Sequence, residues 1–231
     1  MYFTREESID ISFVMPCLDE VNSVGICVDK AFGYIKRNAL SGEVIVVDNG
    51  STDGSAAEAE KHGATVIYEE NTGYGNAIRK GMQYSAGRVM LIGDCDMTYD
   101  FDKPDDMIEM LLNKDFEVVI GDRLSGNMQQ GAMPYMHKLG VYILSYLGRM
   151  RFKVDIRDFH CGIRALTREA AEKMDLNCNG MEFATEMIAE AGKKGLKTGQ
   201  IPVPYIKSEY KRRSKLKPVK DGLRHLDFIL R

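Results

Sequence analysis

The stretch from Val89 to Asp96 constrains the fold of this chain most strongly, because an apolar run ends there in two carboxylates. Val-Met-Leu-Ile-Gly is followed by Asp94 and, one residue later, by Asp96. A short continuous apolar run is typical of a buried strand in a parallel sheet. Ligands of open α/β sheets bind outside the carboxyl ends of such strands. The sequence therefore predicts that both carboxylates lie at the mouth of a cleft, where they can hold Mg²⁺ or Mn²⁺ against substrate phosphates. The alternative is a solvated turn.

Composition and charge exclude several function classes. The five cysteines among 231 residues are scattered and include no Cys-x-x-Cys pair, which indicates a reducing compartment and argues against a disulfide framework or a zinc site. The net charge of −3 offers no overall basic field for nucleic acid. Residues 1–10 do not read as a signal peptide, and the longest apolar stretch, 139–147, is too short to span a bilayer. Residues 207–231 carry nine Lys or Arg against three acids, a net of +6, which favours an anionic partner.

Strands alternate with helices along the first half of the chain. The pattern predicts strands at 9–15, 43–47, 65–68, 89–93 and 117–120, and helices at 22–38, 55–62, 77–85 and 104–113. Pro16 is expected to end the first strand, because proline has no backbone N–H to donate. This alternation is typical of βαβ units. We therefore predict an α/β fold in which a mostly parallel sheet is flanked by helices within a single domain.

The second half is less regular. A helix is predicted at 134–151, a compact polar turn at 158–164 and a second helix at 182–191. The segment 200–206 contains Pro202 and Pro204, so we expect it to be an edge strand. A basic tail follows.

Acidic or polar loops follow at least three of the predicted strands. They are Asp19-Glu20, the loop from Asp48 to Asp53, and Asp94 to Asp96. Because the carboxyl ends of parallel strands meet at one edge of the sheet, we expect these loops to converge on a single rim.

Together these motifs resemble those of glycosyltransferase family 2, whose GT-A fold is Rossmann-like. Over residues 9–125 the order and spacing agree. The family's opening Pro-x-x-Asn/Asp-Glu is matched by Pro16-Cys17-Leu18-Asp19-Glu20, and its Asp-Asp-Gly-Ser-x-Asp loop by Asp48-Asn49-Gly50-Ser51-Thr52-Asp53. Its glycine-rich segment resembles Asn71-x-Gly73-x-Gly75-x-Ala77. Its Asp-x-Asp motif resembles Asp94-Cys95-Asp96.

The second half resembles the polyprenyl-phosphate branch of that family, which is similar to dolichol-phosphate mannose or glucose synthase. The segments that carry this resemblance are 158–164, 180–184 and 213–216. The resemblance implies a nucleotide-sugar-binding half at 9–125 and an acceptor-binding half at 126–231. It also implies that a sugar is transferred, with inversion, from a UDP- or GDP-sugar to a polyprenyl or dolichyl phosphate.

Roles for the donor-binding residues follow from the same resemblance. Asp48 would accept a hydrogen bond from the donor's base, and Asp94 would contact the ribose side and the metal. Asp96 would bind the metal ion that bridges the diphosphate. The other implied donor contacts are Pro16, Asp19 and Glu20, which shape the base pocket, Gly73 and Gly75, which allow close approach, and Arg123, which binds a phosphate. The alternative for Asp48, Asp19 and Glu20 is helix capping. For the two glycines it is a tight turn, and for Arg123 it is an exposed side chain with no ligand.

The acceptor half offers two candidate catalytic carboxylates. Asp158 would act as a catalytic or acceptor-positioning group oriented by Arg164, and the alternative is a structural Asp–Arg pair. Glu182 would face the reacting sugar, or it is a first-turn acid stabilised by the helix dipole. The implied acceptor-phosphate ligands are Arg164, Arg213, Ser214 and Lys215, although a basic run is usually a solvated tail. Helix 134–151 would lie in the membrane interface with its tyrosines at headgroup level, or it is a core helix.

Three departures from the family pattern bear on function. Asn49 replaces the usual second Asp of its loop, and Thr98 stands where some relatives use Gln as a metal ligand. The sequence ends at 228–231, where many relatives continue into transmembrane helices. We therefore expect peripheral contact with the cytoplasmic face of a membrane, or an anchoring partner. Two other functions remain open: transfer to a hydroxyl of a glycan, peptide or small molecule, and a nucleotide-sugar-binding subunit that needs a membrane partner.

Overall fold

The structure is a computed structural model that describes residues 9–113, 115–207 and 217–231. Within these ranges, seven strands form one sheet in the order β3-β2-β1-β4-β6-β5-β7. Strand β6 is antiparallel to both of its neighbours, and every other pairing is parallel. The predicted α/β fold with a mostly parallel sheet is confirmed. The strands are β1 Ile11–Cys17, β2 Gly42–Asp48, β3 Thr65–Tyr68, β4 Val89–Ile92, β5 Val118–Asp122, β6 Arg164–Thr167 and β7 Thr198–Pro202.

Helices flank this sheet, and the predicted ones are found within a few residues of their expected bounds. Tyr34 of the first helix packs on the sheet: its ring meets that of Phe13 of β1 edge to face, with ring centres 6.0 Å apart. In the described part of the chain, no helix is both long enough and apolar enough to cross a bilayer. The helices are α1 Val24–Arg37, α2 Ser55–Lys61, α3 Tyr74–Tyr84, α4 Asp105–Asn113, α5 Tyr135–Phe152, α6 Arg168–Lys173, α7 Phe183–Lys193 and α8 Pro218–Leu230.

Pro16 does not end the first strand, so that expectation is wrong. It lies inside β1, opposite Val47 of β2. Its carbonyl oxygen accepts a hydrogen bond from Cys95 Sγ at 3.3 Å, so its backbone faces the β4 side. Strand β4 pairs with β1 only as far as Val14. The N–H that Pro16 lacks would point toward β4 beyond the last paired residue. No hydrogen bond of the sheet is therefore lost, as for a proline on an edge strand.

Strand β6 is not predicted by the sequence: only its first residue, Arg164, falls within the predicted polar turn at 158–164, and no element is predicted for 165–167. It lies between β4 and β5 and runs against both. Its amino end therefore lies at the same edge as the carboxyl ends of β4 and β5. The turn before it, 158–163, is brought to that edge. Helices α6 and α8 were also missed, and α8 occupies much of the predicted basic tail.

Both halves of the chain contribute to the sheet. Strands β1 to β5 come from residues 9–125, and β6 and β7 come from the second half. The expected edge strand near residue 200 is β7, which does lie at the edge. The assignment of donor binding to one half and acceptor binding to the other stays a prediction.

The two halves are held together where α3 begins. The backbone N–H of Gly75 donates to the carbonyl oxygen of Asn179 at 3.0 Å. A Cβ on Gly73, whose φ is +145°, would lie 2.1 Å from that same oxygen, and a Cβ on Gly75 would lie 2.3 Å from the carbonyl oxygen of Cys178. These glycines therefore permit close approach between two segments of the chain. That contact explains them without a bound donor, and their donor-binding role stays a prediction.

Replacing Gly75 with alanine should lower the free energy of unfolding by roughly 2 kcal/mol, because backbone must move to admit the methyl group. Urea denaturation measures the change. The matched control is Gly140→Ala within α5, where an added Cβ would meet nothing within 4 Å. That variant should gain about 1 kcal/mol from helix propensity. Equal effects in the two variants would contradict the close approach.

Candidate active site at the carboxyl edge of the sheet

The loops after β1 and β2 hold each other in place. Asp19 Oδ1 accepts from the backbone N–H of Thr52 at 2.8 Å, and the Asp19 N–H donates to Ser51 Oγ at 2.9 Å. The Glu20 N–H donates to Ser55 Oγ at 2.7 Å. Asp19 has a left-handed backbone with φ +49°. The two loops converge on one rim as the sequence predicts.

Asp48 is buried at this rim, and one of its oxygens is unsatisfied. Its Oδ2 accepts from the backbone N–H groups of Gly50 at 3.3 Å and Ser51 at 3.2 Å. Its Oδ1 is buried and has no hydrogen-bond partner among the described residues. A buried acceptor left unpaired is costly and rare in native proteins. The Oδ1 atom is therefore a buried acceptor that the described residues leave unsatisfied.

Asn49 connects this loop to the glycine-rich segment. Its Nδ2 donates to the carbonyl oxygens of Glu69 at 2.9 Å and Asn71 at 3.0 Å. Its Oδ1 accepts from the Gly73 N–H at 2.7 Å. An amide side chain carries donors and an acceptor together, whereas an ionised carboxylate only accepts. The departure from the family's usual Asp is therefore explained by a structural role.

Replacing Asn49 with Asp should lower the free energy of unfolding by about 2–3 kcal/mol, because a carboxylate oxygen would face two carbonyl oxygens. Thermal and urea denaturation would reveal the loss. The control is Gln83→Glu, the same change from amide to acid at an exposed position of α3. A stability like that of the control would show that these hydrogen bonds are not required.

Asp94 and Asp96 follow β4 at the same edge. Asp96 is buried, and its Oδ1 accepts from the backbone N–H of Thr98 at 2.9 Å and from the Thr98 hydroxyl. Thr98 thus orients this carboxylate. Met97, between them, has a left-handed φ of +67°, a strained conformation of the kind that clusters at functional sites.

Asp94 is the point where loops from both halves meet. A Cβ on Gly162 would lie only 2.4 Å from Asp94 Oδ2. The Tyr74 side chain also interacts with Asp94, and its pKa is raised well above its ordinary value by burial and by the charge of Asp94. Both the glycine-rich segment and the turn before β6 therefore contact this carboxylate.

The donor set at the rim fits a hard divalent cation shared with a substrate. Mg²⁺ and Mn²⁺ prefer oxygen ligands, and Mg²⁺ is usually held by one or two carboxylates together with substrate phosphates and water. Asp94 and Asp96 supply two carboxylates. Across residues 9–113, 115–207 and 217–231, no three His, Cys, Asp or Glu side chains are grouped to enclose a metal ion. An ion at this rim would therefore depend on ligand oxygens from the substrate.

Asp158 pairs with Arg123 and not with Arg164. Arg123 Nε donates to Asp158 Oδ2 at 2.7 Å, and its Nη2 donates to Oδ1 at 2.9 Å. Oδ1 also accepts from the His160 N–H at 3.1 Å. Asp158 is wholly buried and Arg123 nearly so. Both carboxylate oxygens are occupied, so these contacts support Asp158 as a residue that positions Arg123 and do not support its contact with an acceptor.

Arg164 binds backbone carbonyl oxygens and not Asp158. Its guanidinium donates to the carbonyl oxygens of Cys161 at 2.8 Å, Phe159 at 2.8 Å and Ala184 at 2.6 Å. The side chain is buried. The expectation that Arg164 orients Asp158 is therefore wrong, because its donors hold backbone instead. The same contacts do not support Arg164 as a ligand of the acceptor phosphate. Arg213, Ser214 and Lys215 lie outside the described residues.

Two tyrosines that the sequence did not single out complete this part of the rim. Tyr99 Oη accepts from the Gly162 N–H at 2.8 Å. The Arg123 guanidinium carbon lies 5.3 Å from the ring centre of Tyr205, a cation–π arrangement. Isolated tyrosines gave no sequence signal, because their partners are far away along the chain.

Glu182 is buried at the start of α7. Its Oε1 accepts from the Gly180 N–H at 3.2 Å and from Arg224 Nη2 at 2.8 Å. Its Oε2 is buried and has no hydrogen-bond partner in the described part of the chain. Glu182 and Arg224 line a cavity of about 780 Å³ between α7, α8 and the end of α5. Contact of Glu182 with a reacting sugar stays a prediction.

Two histidines, the half-buried His160 and the buried His225, pack against each other close to Asp158. The rings of His160 and His225 meet edge to face, with centres 4.4 Å apart. The Thr185 hydroxyl lies 2.8 Å from His225 Nδ1 and 3.5 Å from His160 Nε2. Burial lowers the pKa of His225 to about 4, and burial together with the neighbouring His225 lowers that of His160 well below its usual value. Both rings are therefore neutral at pH 7.

The histidine pair predicts a loss of stability in acid. Because the pKa of His225 is lower in the folded state, the unfolded state takes up its proton first as the pH falls below about 6.5. His225 alone should remove about 3 kcal/mol between pH 6.5 and its folded-state pKa of about 4. Urea denaturation at several pH values measures this slope. His225→Asn, which can keep a hydrogen bond to Thr185, should flatten it.

The control for this titration is His62→Asn. Asp29 raises the pKa of His62, so protonated His62 contributes stability that is present at low pH and lost as the pH rises. That loss falls above about pH 6.5, so His62→Asn should leave the slope between pH 6.5 and about 4 unchanged. A His225→Asn variant with an unchanged slope would contradict the assignment.

Comparison with known proteins identifies the class of this fold and site. The sequence model described as glycosyl transferase family 2 matches residues 12–175. The chain therefore belongs to glycosyl transferase family 2, as the motifs predicted.

Two curated proteins are similar to this chain in sequence, and one solved structure is similar in fold. The low-salt glycan biosynthesis hexosyltransferase Agl6 of Haloferax volcanii is 34% identical over 221 residues, which is 95% of this chain and 53% of that protein. The dolichyl-phosphate hexose transferase of the same organism is 27% identical over 196 residues, 85% of this chain and 82% of that protein. The chain thus spans about half the length of Agl6.

The third is a solved structure with the same fold. Glucosyl-3-phosphoglycerate synthase from Mycobacterium tuberculosis, in complex with Mn²⁺, UDP-glucose and phosphoglyceric acid, superposes with a TM-score of 0.76 at 17% identity. The match covers 96% of this chain and 78% of that one. At this identity the likeness establishes the GT-A fold and nothing finer.

Proposed function

We propose that this chain transfers a sugar from a UDP- or GDP-sugar to a polyprenyl phosphate, with inversion, at the cytoplasmic face of a membrane. The observation that carries the proposal is the rim itself, where Asp94 and Asp96 share one edge of the sheet with the unsatisfied oxygen of Asp48. Family membership supports the nucleotide-sugar donor. The similarity to a dolichyl-phosphate hexose transferase supports the acceptor.

The donor would lie along the loops after β1, β2 and β4. Asp48 Oδ1 would accept from the base, and Asp19 and Glu20, held by their hydrogen bonds to the second loop, would border the same pocket. Asp94 and Asp96 would face the diphosphate. A relative in fold binds UDP-glucose together with Mn²⁺, which supports the use of a divalent cation here.

The chemistry requires one bond to form and one to break. A phosphate oxygen of the acceptor attacks the anomeric carbon, and the bond from that carbon to the diphosphate oxygen breaks. The nucleoside diphosphate leaves with the bonding electron pair. A divalent cation held by Asp94 and Asp96 would offset the negative charge that grows on this leaving group.

A phosphate acceptor does not need a general base. A phosphate monoester has a second pKa of about 6, so it is already mostly dianionic at pH 7. A sugar hydroxyl, by contrast, must give up a proton as it attacks. Asp158 is wholly buried and both of its oxygens accept from Arg123. Its contacts suit positioning of a cation better than proton abstraction, which favours the phosphate acceptor.

A transfer assay tests the proposal directly. The chain would be incubated with UDP- and GDP-sugars, a short-chain polyprenyl phosphate, and Mg²⁺ or Mn²⁺. We expect a sugar-phosphate lipid whose formation stops when EDTA is added. Transfer to glycan, peptide or small-molecule hydroxyls, with the lipid phosphate ignored, would overturn the acceptor assignment. Donor binding without turnover on any acceptor would indicate a binding subunit.

Asp96→Asn should lower turnover by ~10³-fold, about 4 kcal/mol of transition-state stabilisation, because the amide removes a charged ligand from the cation. Its melting temperature should stay near that of the wild type, since an amide oxygen can still accept from Thr98. The matched control is Asp100→Asn in the same loop, whose carboxylate pairs with Lys30 at 3.0 Å. The control should keep the wild-type rate. Wild-type turnover in Asp96→Asn would refute the metal assignment.

A further inference from the structure

The helix α5 turns its apolar face outward. The residues that it buries are Val141, Ser145 and Gly148, two of which are small. The large apolar side chains that it exposes are Tyr135, Met136, Leu139, Tyr142, Ile143, Tyr146 and Met150, which we call the outward face. A surface helix normally shows the opposite arrangement.

The outward face is one continuous stripe. At 3.6 residues per turn, its members fall within an arc of about 120° around the helix axis. The buried Val141, Ser145 and Gly148 lie on the opposite side. Apolar residues grouped in this way on a surface mark an interaction site, whereas single exposed ones do not.

The charged side chains of α5 and of its C-cap are all basic. Residues 135–154 contain Lys138, Arg149, Arg151 and Lys153 and no acidic residue. The partner of this face must therefore accept apolar side chains and also attract cations. Tyrosine rings at the boundary between apolar and wet surroundings are typical of membrane interfaces.

We propose that the outward face of α5 docks on an anionic phospholipid surface. An amphipathic helix with a basic border binds such a surface through buried apolar area and through attraction to anionic headgroups. This inference rests on the proposed function, because a lipid-borne acceptor needs a surface that brings its phosphate to the rim.

A second copy of the chain fits this face less well. A symmetric dimer places the same patch of both subunits in contact, so the basic residues that border the face in one subunit would meet those of the other. Like charges brought together in an interface cost free energy. Anionic headgroups would neutralise the same residues.

The position of α5 relative to the rim suits a lipid acceptor. His137 lies in the first turn of α5, and its pKa is lowered by burial and by the nearby charge of Arg123. The helix therefore begins close to the Arg123–Asp158 pair. At its other end α5 packs on α8, with the ring centres of Phe152 and Phe228 6.1 Å apart. Helix α8 also exposes apolar side chains, namely Val219, Leu223 and Leu230.

Vesicle flotation tests the inference. The chain would be mixed with vesicles of phosphatidylcholine, alone or with phosphatidylglycerol, that contain no polyprenyl phosphate. We expect binding to the anionic vesicles, and binding weakened more than tenfold in Ile143→Ser/Tyr146→Ser. The matched control is Leu112→Ser/Tyr84→Ser. Its side chains are 53% and 59% exposed against 51% and 55% for the tested pair, but they lie on α4 and α3. The control should bind as the wild type does.

The charge contribution is tested by Lys138→Gln/Arg151→Gln. Each removed charge should weaken binding to the anionic vesicles about fivefold, because a basic residue near such a surface contributes about 1 kcal/mol. Binding to phosphatidylcholine alone should not change. Loss of binding to both kinds of vesicle would overturn the electrostatic part of the inference.

Three outcomes would overturn the docking surface: no wild-type binding to anionic vesicles, wild-type binding by Ile143→Ser/Tyr146→Ser, or a wild-type dimer that this variant converts to a monomer without any vesicle binding. The last would identify a second copy as the partner. The same variant should keep wild-type turnover on a water-soluble short-chain acceptor without vesicles. If the wild type binds vesicles but transfers no sugar, the proposed function fails and the docking surface stands.

Discussion

The reversed strand β6 is the constraint on which the site depends. Arg164 begins this strand and lies opposite Ile92 of β4 on one side and Ile120 of β5 on the other. Pairing of Arg164 with both residues fixes where the carboxyl ends of β4 and β5 lie relative to each other. Because β6 runs against both, the turn that precedes it must lie at the rim. A parallel strand in this place would have carried that turn to the opposite edge.

The buried guanidinium of Arg164 turns this register into a defined loop. It holds the carbonyl oxygens of Phe159 and Cys161 on its own turn and that of Ala184 in α7. The turn therefore cannot shift without leaving a buried charge unsatisfied. From this anchor Asp158 reaches Arg123, and Gly162 comes against Asp94. The turn before β6 is in this way positioned by hydrogen bonds from Arg164 to backbone.

The sequence predicted the elements and the rim well, because those features are local. Branched apolar runs, helical spacing and Asp-bearing loops are all read within about ten residues. Pairing between distant residues leaves no such signal. The partner of Asp158 was assigned to Arg164, six positions away, whereas it is Arg123 at the end of another strand. Strand β6 was missed because four residues beginning with an arginine show no strand period.

The Arg123–Asp158 pair shows what this arrangement is suited to do. Burying two charges is expensive, and a buried ion pair rarely contributes more stability than apolar side chains of the same size. The pair therefore matters because it fixes the position of the Arg123 guanidinium. Asp158 holds the guanidinium by Nε and Nη2, and Tyr205 lies along it, so Arg123 is fixed before any ligand arrives. A cation ordered in advance stabilises negative charge without the cost of reorganisation. That property would suit the proposed transfer of a sugar to a phosphate, because the attacking oxygen is already charged and negative charge grows on the leaving diphosphate.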